Sequence, residues 1–346
     1  MSTMNSDWLP YLQDQLHNHG LALDAPATAP GERGFVAPLA HLGHVQASGE
    51  EAARFLHNQL TNDIEHLGRT EARLAAYCSA KGRMLASLLA LRSGDDILLQ
   101  VPLDVLPGLQ KRLQMFVLRA KVKLADVSSQ RVALGIAGAT GAQRLGTLAQ
   151  LALPERPWEL CAGEAGMLLR VPDAFGLPRY QFITDAQRAM TLLPALLEAA
   201  PLAAPASWRL ADIKAGLPAI TAATQEQFVP QMINFELLGG VNFRKGCYPG
   251  QEVVARSQYL GKLKRRMYLA EVAATASAGD ELVSEHDPSQ PGGMVVNAES
   301  LGDGRSLALV ELKSALLEQG SALRLGSAQG PQLTMQALPY SLPDPA

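Results

Sequence analysis

The sequence predicts an α+β protein of two related α+β parts followed by a small C-terminal β-barrel. Three observations carry this prediction. Strand-like and helix-like segments alternate without parallel βαβ spacing, and the pattern of the first half returns more loosely in the second. After Gly261 the texture changes to short strands broken by Gly, Pro, Asn and Asp turns, the spacing of a small barrel. At 346 residues the chain exceeds the size at which a single core keeps growing, and 47% hydrophobic with 18% charged residues suits a self-folding body rather than disorder. The expected parts are an N-terminal extension over 1–33, an α+β body over 34–261 with two sub-parts split near 140, and a barrel over 262–346.

In chain order, the opening reads as a short helix and a flexible Ala/Pro/Gly-rich approach ending near Arg33. Ser48 with Glu51 has the spacing of a capping box ahead of a helix bearing Ala52, Phe55, Leu56 and Leu60 on one face. Leu74–Cys78, Met84–Leu91 and Ile97–Val101 are separated by the turns Ser79–Gly82 and Ser93–Asp96, which gives a three-stranded antiparallel meander. Val105 to Phe116 repeats at helical spacing, and Val122–Val127 and Arg131–Ala137 return to strand. The second half offers a helix from about Ala142, strands at Met167–Val171 and Tyr180–Thr184, and helices at Ala186–Ala199 and Ser207–Ala215.

Composition excludes several classes of function. No basic start leads into an apolar run and no stretch reaches the ~18 apolar residues that span a bilayer, so the chain reads as cytoplasmic, without a membrane partner. Cys78, Cys161 and Cys247 are three isolated thiols without CxxC pairing, which argues against a disulfide framework, a zinc ribbon and a complete iron–sulfur site. His17, His19, His41 and His44 lack neighbouring ligands and read as solvated or capping residues, so no metal site is expected. Neither a GxGxxG fingerprint nor a Walker loop is present.

Net charge is −3, but Arg244–Arg266 holds seven basic residues against Glu252 alone, leaving +6 there and −9 elsewhere. Such a focus suits an anionic ligand or a solvated basic face. No RRM or KH signature and no basic patch interleaved with aromatics accompanies it, which argues against direct tRNA binding.

Within that region lies Lys245-Gly246-Cys247-Tyr248-Pro249-Gly250-Gln251-Glu252-Val253-Val254-Ala255-Arg256. Gly246 and Gly250 permit tight turns, and Pro249 suits a first helical position, placing Cys247 just before a helix start. There the macrodipole and Lys245 favour a thiolate, which makes Cys247 the candidate functional thiol; its other reading is a small buried hydrophobe. Glu252 and Arg256 read either as an i,i+4 helix pair or, with Gln251, as hydrogen-bonding groups for a flat heterocycle and a carboxylate. Trp208, after Pro205, reads either as an aromatic-ligand anchor or as a core residue.

The Lys245–Arg256 segment resembles the signature K-G-C-[YF]-x-G-Q-E-x-x-x-R of the YgfZ family, relatives of the glycine-cleavage aminomethyltransferase. Asn58–Asp63, Ala76–Gly82, Trp208 with Asp212–Gly216, Phe228–Gln231, Leu237–Val241 and Leu338–Leu342 resemble further family blocks. The resemblance implies an aminomethyltransferase-like, ring-like folate-binding fold, tetrahydrofolate or a derivative as ligand, and a role in making or repairing iron–sulfur enzymes. One implied client is a tRNA methylthiotransferase. Trp208 and Cys247 match the family's folate-contact tryptophan and signature cysteine; Lys245, Gly246, Tyr248, Gly250, Gln251, Glu252 and Arg256 are carried over as ligand-binding. Two departures qualify it. Leu42 stands where some members carry a second tryptophan, and Ala86-Ser87 replaces the transferase aspartate pair, so aminomethyl transfer is not expected. A folate-dependent one-carbon transferase and a non-catalytic folate-sensing scaffold remain the alternatives.

Overall fold

A computed structural model describes residues 7–259 and 263–343. These fall into two compact units, one running to His57 with Asp63–Arg73 and Leu88–Ala211, the other comprising Asn58–Asn62, Leu74–Ser87 and the chain from Asp212. Gly261, the expected start of the barrel, lies outside the described residues.

The chain begins with α1 (Trp8–Asn18), β1 (Phe35–Pro38), β2 (Leu42–Ser48), α2 (Ala52–His57), β3 (Ala72–Cys78), β4 (Met84–Ser93) and β5 (Asp96–Pro102). It continues through α3 (Leu106–Val117), β6 (Lys123–Asp126), β7 (Val132–Ala137), α4 (Ala139–Ala149), β8 (Leu160–Gly163), β9 (Gly166–Ala174), β10 (Leu177–Thr184), α5 (Ala186–Leu197) and α6 (Pro205–Lys214). Two five-stranded sheets result, β1-β7-β10-β9-β8 and β3-β4-β5-β2-β6. The expected meander is present: Ser93 pairs with Asp96 across the two-residue loop Gly94-Asp95, where Gly94 takes φ +67°.

Trp8, Leu12 and Leu16 recur four residues apart, and all three are buried with Val36, Leu134, Ile136, Phe182, Leu145, Leu193 and Leu196. The opening helix is therefore part of the first unit's core, each buried side chain contributing about 1.5–3 kcal/mol. The expected capping box does not form. Ser48 ends β2 paired with Lys123, and the Glu51 carboxylate accepts from the Lys121 amide at 2.7 Å instead. Helix α2 stops at His57, short of Leu60.

The histidines also differ from expectation. His19 does cap, its Nδ1 lying 2.8 Å from the Gln15 carbonyl at the end of α1. His44 is instead buried in β2, its amide donating to Ser128 Oγ at 2.9 Å, and its Nδ1 has no partner among the described residues. His41 Nδ1 is likewise enclosed. Burial, assisted by Arg131, pushes the His44 imidazole down to about 4 against the opposing Asp126, and burial with Arg209 pushes His41 down to about 3.

The second unit adds α7 (Gln251–Tyr259), β11 (Arg265–Val272), β12 (Glu281–Ser284), β13 (Asp287–Ser300), β14 (Ser306–Lys313), α8 (Ser314–Glu318), β15 (Leu323–Leu325) and β16 (Leu333–Gln336). Its six-stranded antiparallel sheet runs β15-β12-β13-β14-β11-β16 and curls until its edges meet, with Arg324 bridging Gln332 and the Leu325 amide donating to the Pro331 carbonyl at 2.9 Å. Val272, Leu282, Val295, Val310, Leu312 and Leu333 fill the curl. The barrel-like texture read from the turns thus corresponds to a curled sheet.

Folded His41 and His44 favour the neutral imidazole, so the unfolded chain binds more protons below about pH 6.5. Their contribution is complete above that pH and is lost on acidification toward about 4 for His44 and about 3 for His41. Together they add a slope of up to about 2.7 kcal/mol per pH unit to the unfolding free energy. Urea denaturation across this range should show roughly half of that histidine slope removed in His44→Gln; an unchanged slope would contradict the burial argument.

Candidate functional site

The signature segment is held in place from two sides within the second unit. On one side, Leu60–Asn62 forms a clip between β3 and the 239–245 loop. The Thr61 hydroxyl donates to the Gly240 carbonyl at 2.6 Å and accepts the Ala76 amide at 2.8 Å. Asn62 Nδ2 donates to both Leu74 and Gly239 carbonyls, at 2.7 and 2.8 Å. The Asn242 amide reaches the Thr61 carbonyl at 2.9 Å, and Lys245 Nζ the Leu60 carbonyl at 2.7 Å. Thr61, fully buried, satisfies its polar groups entirely inside the protein.

On the other side, the Tyr248-Pro249-Gly250-Gln251 turn seats against the β3–β4 hairpin turn. Gln251 N donates to Tyr248 O at 3.2 Å, and Gly250 has φ +79°, the pattern of a type II turn with Pro at i+1 and Gly at i+2. This corrects the expected placement of Pro249: it lies in the turn, and Gln251 is the first residue of α7. A Cβ on Gly250 would stand 2.4 Å from the Ser79 carbonyl oxygen and 2.7 Å from Gly82 N, and one on Gly82 would stand 2.9 Å from Val253 Cβ. Both positions require glycine by space as well as by φ.

Between these two anchors the side chains alternate in exposure. Tyr248 is buried, with Lys245 Nζ 4.9 Å from its ring centroid, so the ammonium lies over a π-face as well as on a carbonyl. Burial, and then the neighbouring Cys78, raise the Tyr248 phenol above its ordinary range. Burial pushes the Cys78 thiol up to about 12, leaving it a neutral core group at physiological pH. Cys247 is exposed. The reading of Cys247 as a buried hydrophobe is therefore wrong, and that reading belongs to Cys78.

Helix α7 is fixed from beneath. Val254 is fully buried and its carbonyl accepts from Gln231 Nε2 at 2.8 Å; Gln231 O in turn accepts from Arg266 at 3.0 Å. Gln251 is half-buried, while Glu252 and Arg256 are exposed and form no ion pair with each other, so the helix-pair reading fails. The basic focus is also divided by folding. Arg265 grips the buried Glu311 carboxylate at 2.7 and 2.9 Å, and Arg266 pairs with buried Glu236. Two of the seven cations are thus internal ion pairs.

No family model matches the chain. The tRNA-modifying protein YgfZ of Cronobacter sakazakii is 34% identical over 301 residues, covering 85% of this chain and 89% of its own. That of Photorhabdus laumondii is 35% identical over 308 residues, covering 87% and 90%. The chain belongs to the YgfZ family. Among solved structures, the glycine cleavage system aminomethyltransferase T from Bartonella henselae matches with a TM-score of 0.72 at 18% identity, covering 94% of this chain and 88% of that one, which shows a common fold.

Trp208 and the Ala86-Ser87 pair are other positions that the resemblance singles out. Trp208 belongs to the first unit, where it is fully buried. Arg179 lies over its ring at 4.7 Å, and Gly135 of β7 leaves it room, since a Cβ there would fall 2.3 Å from the indole. Ala86 is buried, and the Ser87 hydroxyl, also buried, accepts the Ile220 amide at 2.8 Å, so neither position presents a carboxylic acid. Among the described residues no group of three or more His, Cys, Asp or Glu is placed to hold a metal ion. Sequence reasoning missed Gln231 and the Thr61–Asn62 clip as supports of the segment; their one signal is that both sit in blocks that resemble the family.

Exposure and burial make a direct labelling prediction. In the native protein iodoacetamide should modify Cys247 rapidly and spare Cys78 until urea unfolds the chain, as located by peptide mass spectrometry. Protection of Cys247 in the native state would contradict the placement.

Proposed function

We propose that this YgfZ-family chain is a folate-binding accessory factor for making or repairing iron–sulfur enzymes, supporting tRNA modification such as methylthiolation, and that Cys247 is its functional thiol. The observation that carries this reading is the contrast within one unit. The exposed side chain on the rigid signature turn is a thiol, while the places of the transferase carboxylates hold Ala86 and an engaged Ser87. Aminomethyl transfer requires an acid/base group in hydrogen-bond reach, and these residues supply none. An exposed thiol instead suits transient contact with a client's iron, sulfur or cysteine.

Support for the folate part is the common fold together with Trp208. Its indole Nε1 is enclosed without an acceptor among the described residues, an orphaned donor of the kind that a ligand carbonyl or carboxylate satisfies. Its ring is already covered by Arg179 and closely approached by Gly135, so the contact proposed is through the indole edge rather than by stacking. In the second unit Lys245 and Tyr248 are engaged with Leu60 and with each other, and are proposed to shape the signature segment rather than to contact the Trp208 ligand.

The test uses one null strain and two variants. Calorimetry should show tetrahydrofolate bound by the wild-type chain and about fivefold more weakly by Trp208→Phe, the loss of one hydrogen bond. Cys247→Ser should bind folate normally yet fail to restore methylthiolated tRNA. Equal folate affinity in Trp208→Phe would remove the contact, and full restoration by Cys247→Ser would make the chain a folate-sensing scaffold.

A further inference from the structure

The expectation of an indirect tRNA link rests on the sequence lacking aromatics interleaved with its basic run. Phe243 and Tyr259 nevertheless stand at and within that run, and folding brings them together. Phe243, before the signature, and Tyr259, at the end of α7, meet edge to face with ring centroids 6.0 Å apart and planes at 71°. Tyr259 is 69% exposed, a large apolar ring presented to solvent rather than packed. Arg256 lies three residues before it on the same helix, and i and i+3 positions share a face. Arg244 follows Phe243 directly.

The cations of this region divide into two sets. Arg265 and Arg266 are neutralised by Glu311 and Glu236, and Lys245 is held by the Leu60 carbonyl and the Tyr248 ring. Arg244, Arg256 and Lys264 are exposed and have no carboxylate partner among the described residues. What the fold leaves at this surface is an exposed Tyr259 braced by the half-buried Phe243, with two exposed guanidinium groups that no described carboxylate pairs. That combination matches an unpaired polynucleotide: each base offers a π-face for a ring, and each phosphate accepts an arginine fork. The glutamyl tail of a folate would satisfy the cations but has no ring for Tyr259. A duplex hides its base faces in the stack.

We infer that the surface carrying Phe243, Tyr259, Arg244 and Arg256 binds unpaired nucleotides of RNA, one base stacking on Tyr259 and the adjoining phosphates contacting Arg256 and Arg244. The inference rests on the reading that this chain acts in tRNA modification for the choice of RNA as the polynucleotide. It brings the exposed Cys247 segment and an RNA contact onto the same unit.

The full chain is titrated, without folate or client, against a 5′-fluorescein-labelled oligouridylate of about twelve nucleotides and against a duplex of the same length, followed by anisotropy. The single strand should bind more tightly than the duplex. Tyr259→Ala should weaken it about tenfold, Tyr259→Phe should match the wild type, and Arg256→Gln should lower the slope of log K against log salt by about one. These side chains are exposed, and thermal melts of the variants should overlay the wild type. Failure of the wild-type chain to bind the single strand, or equal affinity in Tyr259→Ala, overturns the inference. So does weakened binding of tetrahydrofolate pentaglutamate in Arg256→Gln and Tyr259→Ala with oligouridylate binding unchanged, which would assign the surface to the folate tail. Because the titration contains neither folate nor client, its failure is distinguishable from failure of the Cys247→Ser complementation.

Discussion

Two glycines that touch where no side chain fits are the constraint on which the candidate site depends. Gly250 lies against Ser79 O and Gly82 N at distances that would put an added Cβ inside contact, and Gly82 leaves equally little room beside Val253. Each also has a positive φ, so the backbone and the packing demand the same residue twice over. With this seat in place the type II turn is fixed, Gln251 begins α7, Val254 drops into the core to meet Gln231, and Cys247 is left outside next to buried Tyr248. The Thr61–Asn62 clip does the same for the other end of the segment by tying Gly239, Gly240 and Lys245 to β3 and its neighbours.

Much of the secondary structure is legible from local pattern because local physics sets it. The β3–β4–β5 meander, α3, α5 and the broken texture of the curled sheet follow from apolar period and from Gly and Asp at turns. The failures share one cause, which is that partners distant in sequence decide them. Ser48 and Glu51 have capping-box spacing, yet β2 pairs through Ser48 to β6 and Glu51 is taken by the Lys121 amide. His41 and His44 look solvated as isolated polar residues, but β2 is interior to its sheet and carries His44 inside. Pro249 fits a helix start locally and is drawn into the turn because Gly250 must reach Ser79.

The site shows the same division. The reach of the signature and the exposure of its cysteine are consistent with the sequence, whereas charge is not additive along the chain. Of the seven cations in this stretch, two pair with buried carboxylates, one lysine is shared by a carbonyl and a ring, and Arg244, Arg256 and Lys264 face solvent. The aromatic pair that gives the free arginines a distinct chemistry joins Phe243 to Tyr259 across the whole signature, a contact that linear spacing does not disclose. What the glycine seat leaves exposed in this unit is a thiol, two guanidinium groups and a ring, while Ala86 is buried and the Ser87 hydroxyl accepts the Ile220 amide.

The central claim is that the glycine contact, and not the intrinsic stability of α7, holds the Cys247 segment in place. Native-state hydrogen exchange in Gly250→Ala measures it directly at two amides, Gly82 bonded to Ser79 O at 2.9 Å and Val254 bonded to Gly250 O at 3.2 Å. Both should exchange at least about tenfold faster than in the wild type, while the β11–β14 ladder keeps its protection. Unchanged protection at Gly82 and Val254 would contradict the account.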